Sequence, residues 1–262
     1  SPGEEYVSPS LLFSFSENGK GSVSRSFHRY MRDRRGCFNP KKERPVVLNS
    51  WEGIGTKVSE EEILRMIRDA ASLGAEMFVL DDGWFGGKYP RTQECSGGLG
   101  DWKVDARKLP NGLKPLLEEC RKNDIRFGLW FEPEMVNVKS ELYEKHPDWV
   151  VRKKDGPLVC GRGGTQLMLD LAKPEVREHV YHAVADVLKA NPGIEYVKWD
   201  HNMNGSKGTD SDAHNNGALE VMARLRKEFP KVMFQLCASG GGRADVGTMR
   251  FFEEFWASDE TN

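Results

Sequence analysis

From Pro45 onward, short apolar runs rich in Val, Phe and Trp alternate with longer stretches of helical period. This alternation constrains the fold more than any other feature, because it is the pattern of βα units that pack helices against a parallel sheet. Six runs read as strands: 45–51 (PVVLNSW), 77–82 (MFVLDD), 125–132 (IRFGLWFE), 195–200 (EYVKWD), 231–237 (KVMFQLC) and 253–258 (EEFWAS). Most have an apolar body and end in polar or aromatic residues.

The stretches between them carry helix signals. Residues 59–73 open with a capping box, Ser59 with Glu62, show an apolar stripe at Ile63, Met66, Ile67 and Ala70, and stop at Gly74. Residues 112–122 repeat Leu113, Leu116, Leu117 and Cys120, while 174–189 begin at Pro174, bury Val176, Val180, Val184, Val187 and Leu188, and end before Asn191-Pro192-Gly193. A fourth helix is expected over 216–229, on Leu219, Met222 and Leu225, stopping before Pro230.

The stretch 133–170 is too long for a plain loop, and Trp149-Val150-Val151 followed by Asp155-Gly156 predicts an inserted hairpin beside the strand ends. Ahead of Pro45, short alternating patches such as 11–15, a Gly/Ser stretch and a basic run from Arg25 to Arg35 read as the tail of a β domain and a connecting helix. The expected organisation is therefore residues 1–44 as the end of a β-sandwich with its connecting helix, and 45–262 as a TIM (β/α)8-type barrel that is incomplete, with six strands and the last ones lacking. Its open sheet edges leave room for a homo-oligomer.

Composition narrows the classes of function. With 38% hydrophobic and 30% charged residues and no apolar run near the roughly 20 residues of a membrane helix, no membrane span is expected. A formal charge of −2 gives no basic surplus for a phosphate backbone, so nucleic acid is not an expected partner. Five cysteines without a CxxC pair argue against a disulfide framework and a structural zinc site, and fit a reducing cytoplasm.

Active sites of (β/α)8 barrels lie at the C-terminal ends of the strands. Those ends hold Trp51-Glu52, Asp81-Asp82 with Trp84, Trp130-Phe131-Glu132, Lys198-Trp199-Asp200, Cys237 with the Gly240–Gly242 turn, and Trp256 to Asp259. A single Trp there often packs under a loop and a single Asp often caps a helix, but a whole rim of both suits carbohydrate: aromatic faces cover sugar C–H groups and carboxylates accept from hydroxyls. Glycoside cleavage needs two carboxyl groups flanking the scissile bond, and Asp200 and Asp259 end the fourth and sixth strands. No HxH, HExxH or His-carboxylate set accompanies the acids, and His179 and His182 lie on a helix where they read as surface residues; neither metal nor cofactor is expected. Cys237 lacks an activating histidine and reads as packing or a substrate contact.

LDDGWFG at 80–86, LWFEPEMV at 129–136, KWDHN at 198–202, CASGGGR at 237–243 and WASDET at 256–261 together resemble glycoside hydrolase family 36, the α-galactosidases. SPGEEYVSPS at 1–10 looks like the end of that family's N-terminal β-sandwich. The resemblance implies hydrolysis of terminal α-linked galactose in oligosaccharides of the raffinose and melibiose type, by double displacement. It makes Asp200 the nucleophile and Asp259 the acid/base. Asp81 and Asp82 would bind the far hydroxyls of galactose; Lys198, Asn202, Cys237 and Gly240 fill further pocket positions; Trp51, Trp130 and Trp256 form aromatic walls. Arg162 corresponds to a pocket arginine, though GRGGTQ departs from the common GRxQ spacing, and Met203 and Asn262 stand where Arg and Asp are common. An α-N-acetylgalactosaminidase, a raffinose-type transglycosylase and a non-catalytic sugar-binding fragment remain the alternatives.

Overall fold

The computed structural model describes residues 3, 5, 11–35, 43–153, 160–203 and 211–260. Its centre is a parallel sheet of six strands in sequential order: β1 (Val47–Asn49), β2 (Met77–Leu80), β3 (Arg126–Phe131), β4 (Ile194–Trp199), β5 (Met233–Leu236) and β6 (Glu254–Phe255). All six expected strands are present; β4 keeps its expected length one residue earlier, and the other five are shorter than expected. In those five the run continues past the hydrogen-bonded ladder at one or both ends, so hydrophobicity overstates strand length. Within the described residues β1 and β6 pair on one side only, as in a (β/α)8 barrel lacking its last strands.

Strand alternation assigns each residue to one face. Val47, Met77, Val79, Tyr196 and Met233 form a small cluster of their own on one face, the inside of the curl. Phe78, Leu80, Phe127, Leu129, Val197, Phe234 and Leu236 join the larger core shared with the helices on the other. Gly128 leaves room inside: a Cβ there would come within 3.0 Å of both Tyr196 and Val79. Carrying the inward series on by two residues brings Asn49, Asp81, Trp130 and Lys198, and by four Asp200, to the C-terminal rim.

The helices follow the expected order. After α1 (Gly19–Tyr30), α2 (Glu60–Ser72) starts where Ser59 Oγ accepts from Glu62 N at 3.4 Å, buries Ile63, Ile67 and Ala70, and is followed by Gly74 at φ 84°. The reciprocal half of the capping box is not formed, because the Glu62 carboxylate pairs with Arg65. Next come α3 (Lys114–Lys122), α4 (Pro174–Ala190) and α5 (Ser211–Glu228). The last begins five residues ahead of the expected start, in a polar turn that carries no apolar period.

Two expectations change. The insertion after β3 is a three-stranded antiparallel sheet, with Gln166–Met168 between Met135–Val136 and Cys160–Gly161. Its turn is Arg162–Gly164, whereas Val150 makes only an isolated bridge to Leu169; Asp155-Gly156 lies outside the described residues. Ahead of the barrel, a helix is present where one was expected: α1 starts inside the Gly/Ser stretch and is continued by a π turn at Met31–Arg35. Residues 11–16 form no regular element, and most of 1–10 lies outside the described residues.

Close packing at Gly217, in the second turn of α5, gives a direct test. A Cβ there would lie 2.1 Å from the Leu171 carbonyl oxygen. Alanine at an unconstrained helix site stabilises by roughly 1 kcal/mol, but overpacking costs about 1–3 kcal/mol. Because the obstacle is backbone, Gly217→Ala is expected to lower the melting temperature; an unchanged or raised value in thermal unfolding would contradict this packing.

Candidate active site

The rim residues enclose a cavity of about 340 Å³. Its floor is an electrostatic lattice between strand ends. Asp81 Oδ2 accepts from Asn49 Nδ2 at 2.7 Å and from Lys198 Nζ at 2.8 Å, and Asp81 Oδ1 accepts from Asp82 N at 2.8 Å. Burial opposes the Lys198 charge, but Asp81 and Asp200 outweigh it and raise the ammonium above its ordinary value. The same Nζ lies 4.9 Å from the Trp256 ring. β1, β2 and β4 thus meet at Asp81, which lines the cavity.

Asp82 is held from below. Arg91, fully buried, donates Nε to Oδ1 at 2.8 Å and Nη2 to Oδ2 at 2.7 Å, and spends Nη1 on the Cys95 carbonyl and Asn137 Oδ1. This planar, bidentate fit is one that Lys could not reproduce. Arg162 reaches Asp82 from the inserted sheet at 3.5 Å, with its guanidinium 5.5 Å from the Trp51 ring. It does so from a left-handed backbone, φ 43°, a strained conformation for a non-glycine residue.

Three donors converge on Asp200. Oδ2 accepts from Trp130 Nε1 at 3.2 Å and Asn202 Nδ2 at 2.8 Å, and Oδ1 from His201 N at 2.8 Å. The backbone is fixed as well, since Asp200 N donates to the Phe131 carbonyl at 2.7 Å, continuing the β3–β4 ladder by one residue. Asp259 stands at the rim with no hydrogen bond to its carboxylate among the described residues. Partial burial and then the Asp200 charge raise its pKa above the ordinary aspartate value.

Of the twelve site residues expected from sequence, ten line the cavity: Trp51, Asp81, Asp82, Trp130, Arg162, Lys198, Asn202, Trp256, Asp200 and Asp259. Cys237 and Gly240 do not. Cys237 is buried beside Asp200, and burial together with that carboxylate pushes its thiol up, away from the thiolate. Gly240 acts through the backbone: at φ 87°, a Cβ would meet Ser258 Cα at 2.9 Å and Asp259 N at 3.3 Å, so its lack of a side chain lets the Asp259 segment close over the turn.

The rim of five tryptophans is reduced to three. Trp84 and Trp199 are fully buried outside the cavity; Trp84 Nε1 donates to the Trp130 carbonyl and Trp199 Nε1 to Glu134 Oε1. Trp199 follows Lys198, so strand parity turns it outward, a signal already present in the sequence. His179 also departs from expectation: it is half-buried against Trp149, at 5.4 Å between ring centroids, and burial pulls it down to about 4. His182 is exposed and pairs with Asp186. Asn49, Glu52 and Ser239 line the cavity without having been singled out as binding residues; of these, Asn49 was legible as the inward residue two before Trp51.

A His-carboxylate set does exist, contrary to expectation. Glu134, His201 and His214, all buried, bring ligand atoms within 4.8 Å of one another, donor types that suit zinc or a related transition metal. Arg243 Nη1 already sits 2.6 Å from Glu134 Oε1, which also accepts from Trp199 Nε1 at 2.7 Å. Burial works against the Glu134 charge, but Arg243 and the histidines hold it well below the usual carboxylate range. With that charge balanced, a divalent cation would leave two uncompensated positive charges in a buried site, which is unfavourable. The cluster reads better as a hub tying the β3 and β4 ends to α5 and to the Gly240–Gly242 turn.

A parallel βα sheet whose strand ends converge paired carboxylates, aromatic walls and a buried lysine defines the class of barrel glycosidases. The chain belongs to the Melibiase family, whose model matches residues 5–262. A probable α-galactosidase C of Aspergillus terreus is 41% identical over 275 residues, covering 100% of this chain and 36% of that protein. The α-galactosidase AgaA of Geobacillus stearothermophilus is 39% identical over 274 residues, with the same shares of the two chains. The crystal structure of AgaA, described as a GH36 enzyme, superposes with a TM-score of 0.82 at 38% identity, covering 92% of this chain and 34% of that one. The chain thus spans about a third of the length of these relatives.

The Asp82–Arg91 pair is fully buried, so breaking it strands a charge. Arg91→Met is expected to destabilise by about 3–5 kcal/mol, read as a loss of melting temperature. Adding Asp82→Asn should recover part of that loss; a double variant no better than the single one would show that Arg91 acts through its packing on Phe85 and not through charge.

Proposed function

We propose that this chain is the catalytic segment of a retaining α-galactosidase that removes terminal α-linked galactose from oligosaccharides. The observation that carries the reading is the placement of Asp200 and Asp259 on one cavity with opposite surroundings. Asp200 is an acceptor held by three donors, and Asp259 is a carboxyl without donors among the described residues whose pKa is raised. One is suited to attack and the other to carry a proton.

In the first step an Asp200 oxygen attacks the anomeric carbon, the C1–O bond to the leaving group breaks, and the departing oxygen takes the Asp259 proton. This gives a galactosyl ester on Asp200 and a free alcohol. In the second step Asp259, now anionic, takes a proton from water; the water oxygen attacks C1, the ester bond breaks, and Asp200 is regenerated. Two inversions give net retention. Asp81 and Asp82, locked by Lys198 and Arg91, offer fixed acceptors to the hydroxyls farthest from C1. Trp51, Trp130 and Trp256 supply the apolar walls.

AgaA variants similar to this chain, at 37% and 35% identity, have been solved with raffinose and with stachyose. These ligands support galactose-containing oligosaccharides of that type as the substrate class here.

The test is hydrolysis of aryl α-galactoside beside aryl N-acetyl-α-galactosaminide by the longest form of the protein. The galactoside is expected to be cleaved, and Asp200→Ala to lower kcat by roughly four orders of magnitude. Cleavage of the N-acetyl sugar instead would keep the mechanism and replace the substrate; cleavage of neither would leave a sugar-binding role.

The first step requires Asp259 protonated, so kcat/KM should fall as pH rises through its raised pKa. Asp259→Asn should abolish that limb. Persistence of the same limb in the variant would assign it to another group.

A further inference from the structure

Glu132 follows β3 directly and is fully buried, yet it does not line the cavity. Its carboxyl points at the segment that carries Asp200. Glu132 Oε1 accepts from Asn202 N at 2.6 Å, and Oε2 accepts from Gln166 Nε2 at 3.0 Å. The end of β3 therefore grips residues 200–202 at three successive positions. Trp130 donates its indole N–H to Asp200 Oδ2, Phe131 offers its carbonyl to Asp200 N, and Glu132 offers its carboxyl to Asn202 N. Asn202 then donates Nδ2 to Asp200 Oδ2 at 2.8 Å.

We infer that Glu132 is a positioning residue for the reaction: by holding the Asn202 backbone it sets the amide that aims the Asp200 carboxylate at the anomeric carbon. This rests on the proposed glycosidase reading. No other acceptor for Asn202 N is present among the described residues. Losing Glu132 would leave that partly buried N–H without its protein partner and free the Asn202 side chain to rotate away from Asp200.

The charge state suits the role. The charged groups acting on Glu132 are Asp200, Arg91 and Arg162. Burial and then the Asp200 charge push it up to about 8, and neither arginine offsets this. Arg91 is fully engaged with Asp82, and Arg162 also turns toward that carboxylate. The shift favours the protonated form, which can sit behind the nucleophile without repelling it. A neutral carboxyl also has a proton to place, and Gln166 Oε1, buried and without a partner, lies on the amide that already meets Oε2; turning that amide over would let it accept the proton.

The experiment compares Glu132→Ala and Glu132→Gln with the unaltered enzyme, in the longest form of the protein and on whichever α-glycoside it cleaves. Competitive inhibition by galactose serves as a second readout. A nucleophile misplaced by about 1 Å costs on the order of 100-fold in rate. Glu132→Ala is expected to lose about that factor in kcat, with the galactose inhibition constant moving less than about threefold. Glu132→Gln keeps an acceptor for Asn202 N and should stay within about threefold of the unaltered kcat.

A folded Glu132→Ala enzyme with kcat within about twofold would overturn the inference, as would a glutamine variant as impaired as the alanine one. Should the alanine variant not fold, Glu132→Asp decides, since it keeps the carboxyl but draws it back from Asn202 N: a roughly tenfold fall in kcat supports the role and an unchanged kcat refutes it. If the unaltered enzyme cleaves no glycoside, the proposed function and this inference fall together; if it turns over and the variants match it, only the positioning role falls.

Discussion

The site depends on the register between β3 and β4. Trp130 pairs with Lys198 and Phe131 with Trp199 across the parallel ladder, and the Phe131 carbonyl then takes the Asp200 amide. A slip of one residue would turn Lys198 and Asp200 to the helix face and bring Trp199 inward. The side-chain evidence for this register lies inside the curl, where Gly128 leaves the space that Tyr196 fills. A glycine in the middle of a strand is thus the packing counterpart of a nucleophile six residues further along the neighbouring chain segment than its partner tyrosine's strand start, and both follow from one alignment of two strands.

On that register the charges arrange themselves by pairing. Three buried carboxylates have a partner of opposite sign from a different element: Asp81 with Lys198 between strands, Asp82 with Arg91 from the loop after β2, Glu134 with Arg243 from the turn after β5; Asp200 is held by neutral donors instead. Buried pairs of this kind add little net stability compared with apolar packing, because desolvation offsets most of the attraction. What they supply is orientation. Acceptors that are already ordered before a sugar arrives do not have to be ordered by it.

Much of this was legible in the chain. The inner strands stood out because apolar bodies buried on both faces read as continuous runs, and the four main helices because of their apolar stripes, backed by first-turn residues in 59–73 and 174–189. Ten of the twelve expected site residues line the cavity because strand ends in a barrel fold share one rim. The misreadings have physical causes. Trp84 and Trp199 were counted as rim residues on their type, although parity turns Trp199 away. Cys237 and Gly240 were expected at pocket positions but do not line the cavity: one is buried beside Asp200 and the other supports the Asp259 backbone. The inserted hairpin was expected on other residues because those that pair, Cys160–Gly161 and Gln166–Met168, are too short and too mixed to show a period. Arg91, Gln166 and His214 come from a loop, a two-to-three-residue strand and a polar helical turn, where contacts are set by tertiary placement.

The two carboxyls of the proposed reaction differ in how much of the fold holds them. Asp200 is attached to β3 through its backbone and to three donors through its oxygens, so its position is a property of the sheet. Asp259 lies beyond β6, the shortest strand of the ladder, and rests on the glycine turn through the close approach at Gly240 and the bond from Gly241 N to the Ala257 carbonyl at 3.2 Å. A nucleophile must meet one carbon along one line, which favours rigid attachment. A proton carrier must serve a departing oxygen and then an incoming water, and a group on a less constrained segment can do both.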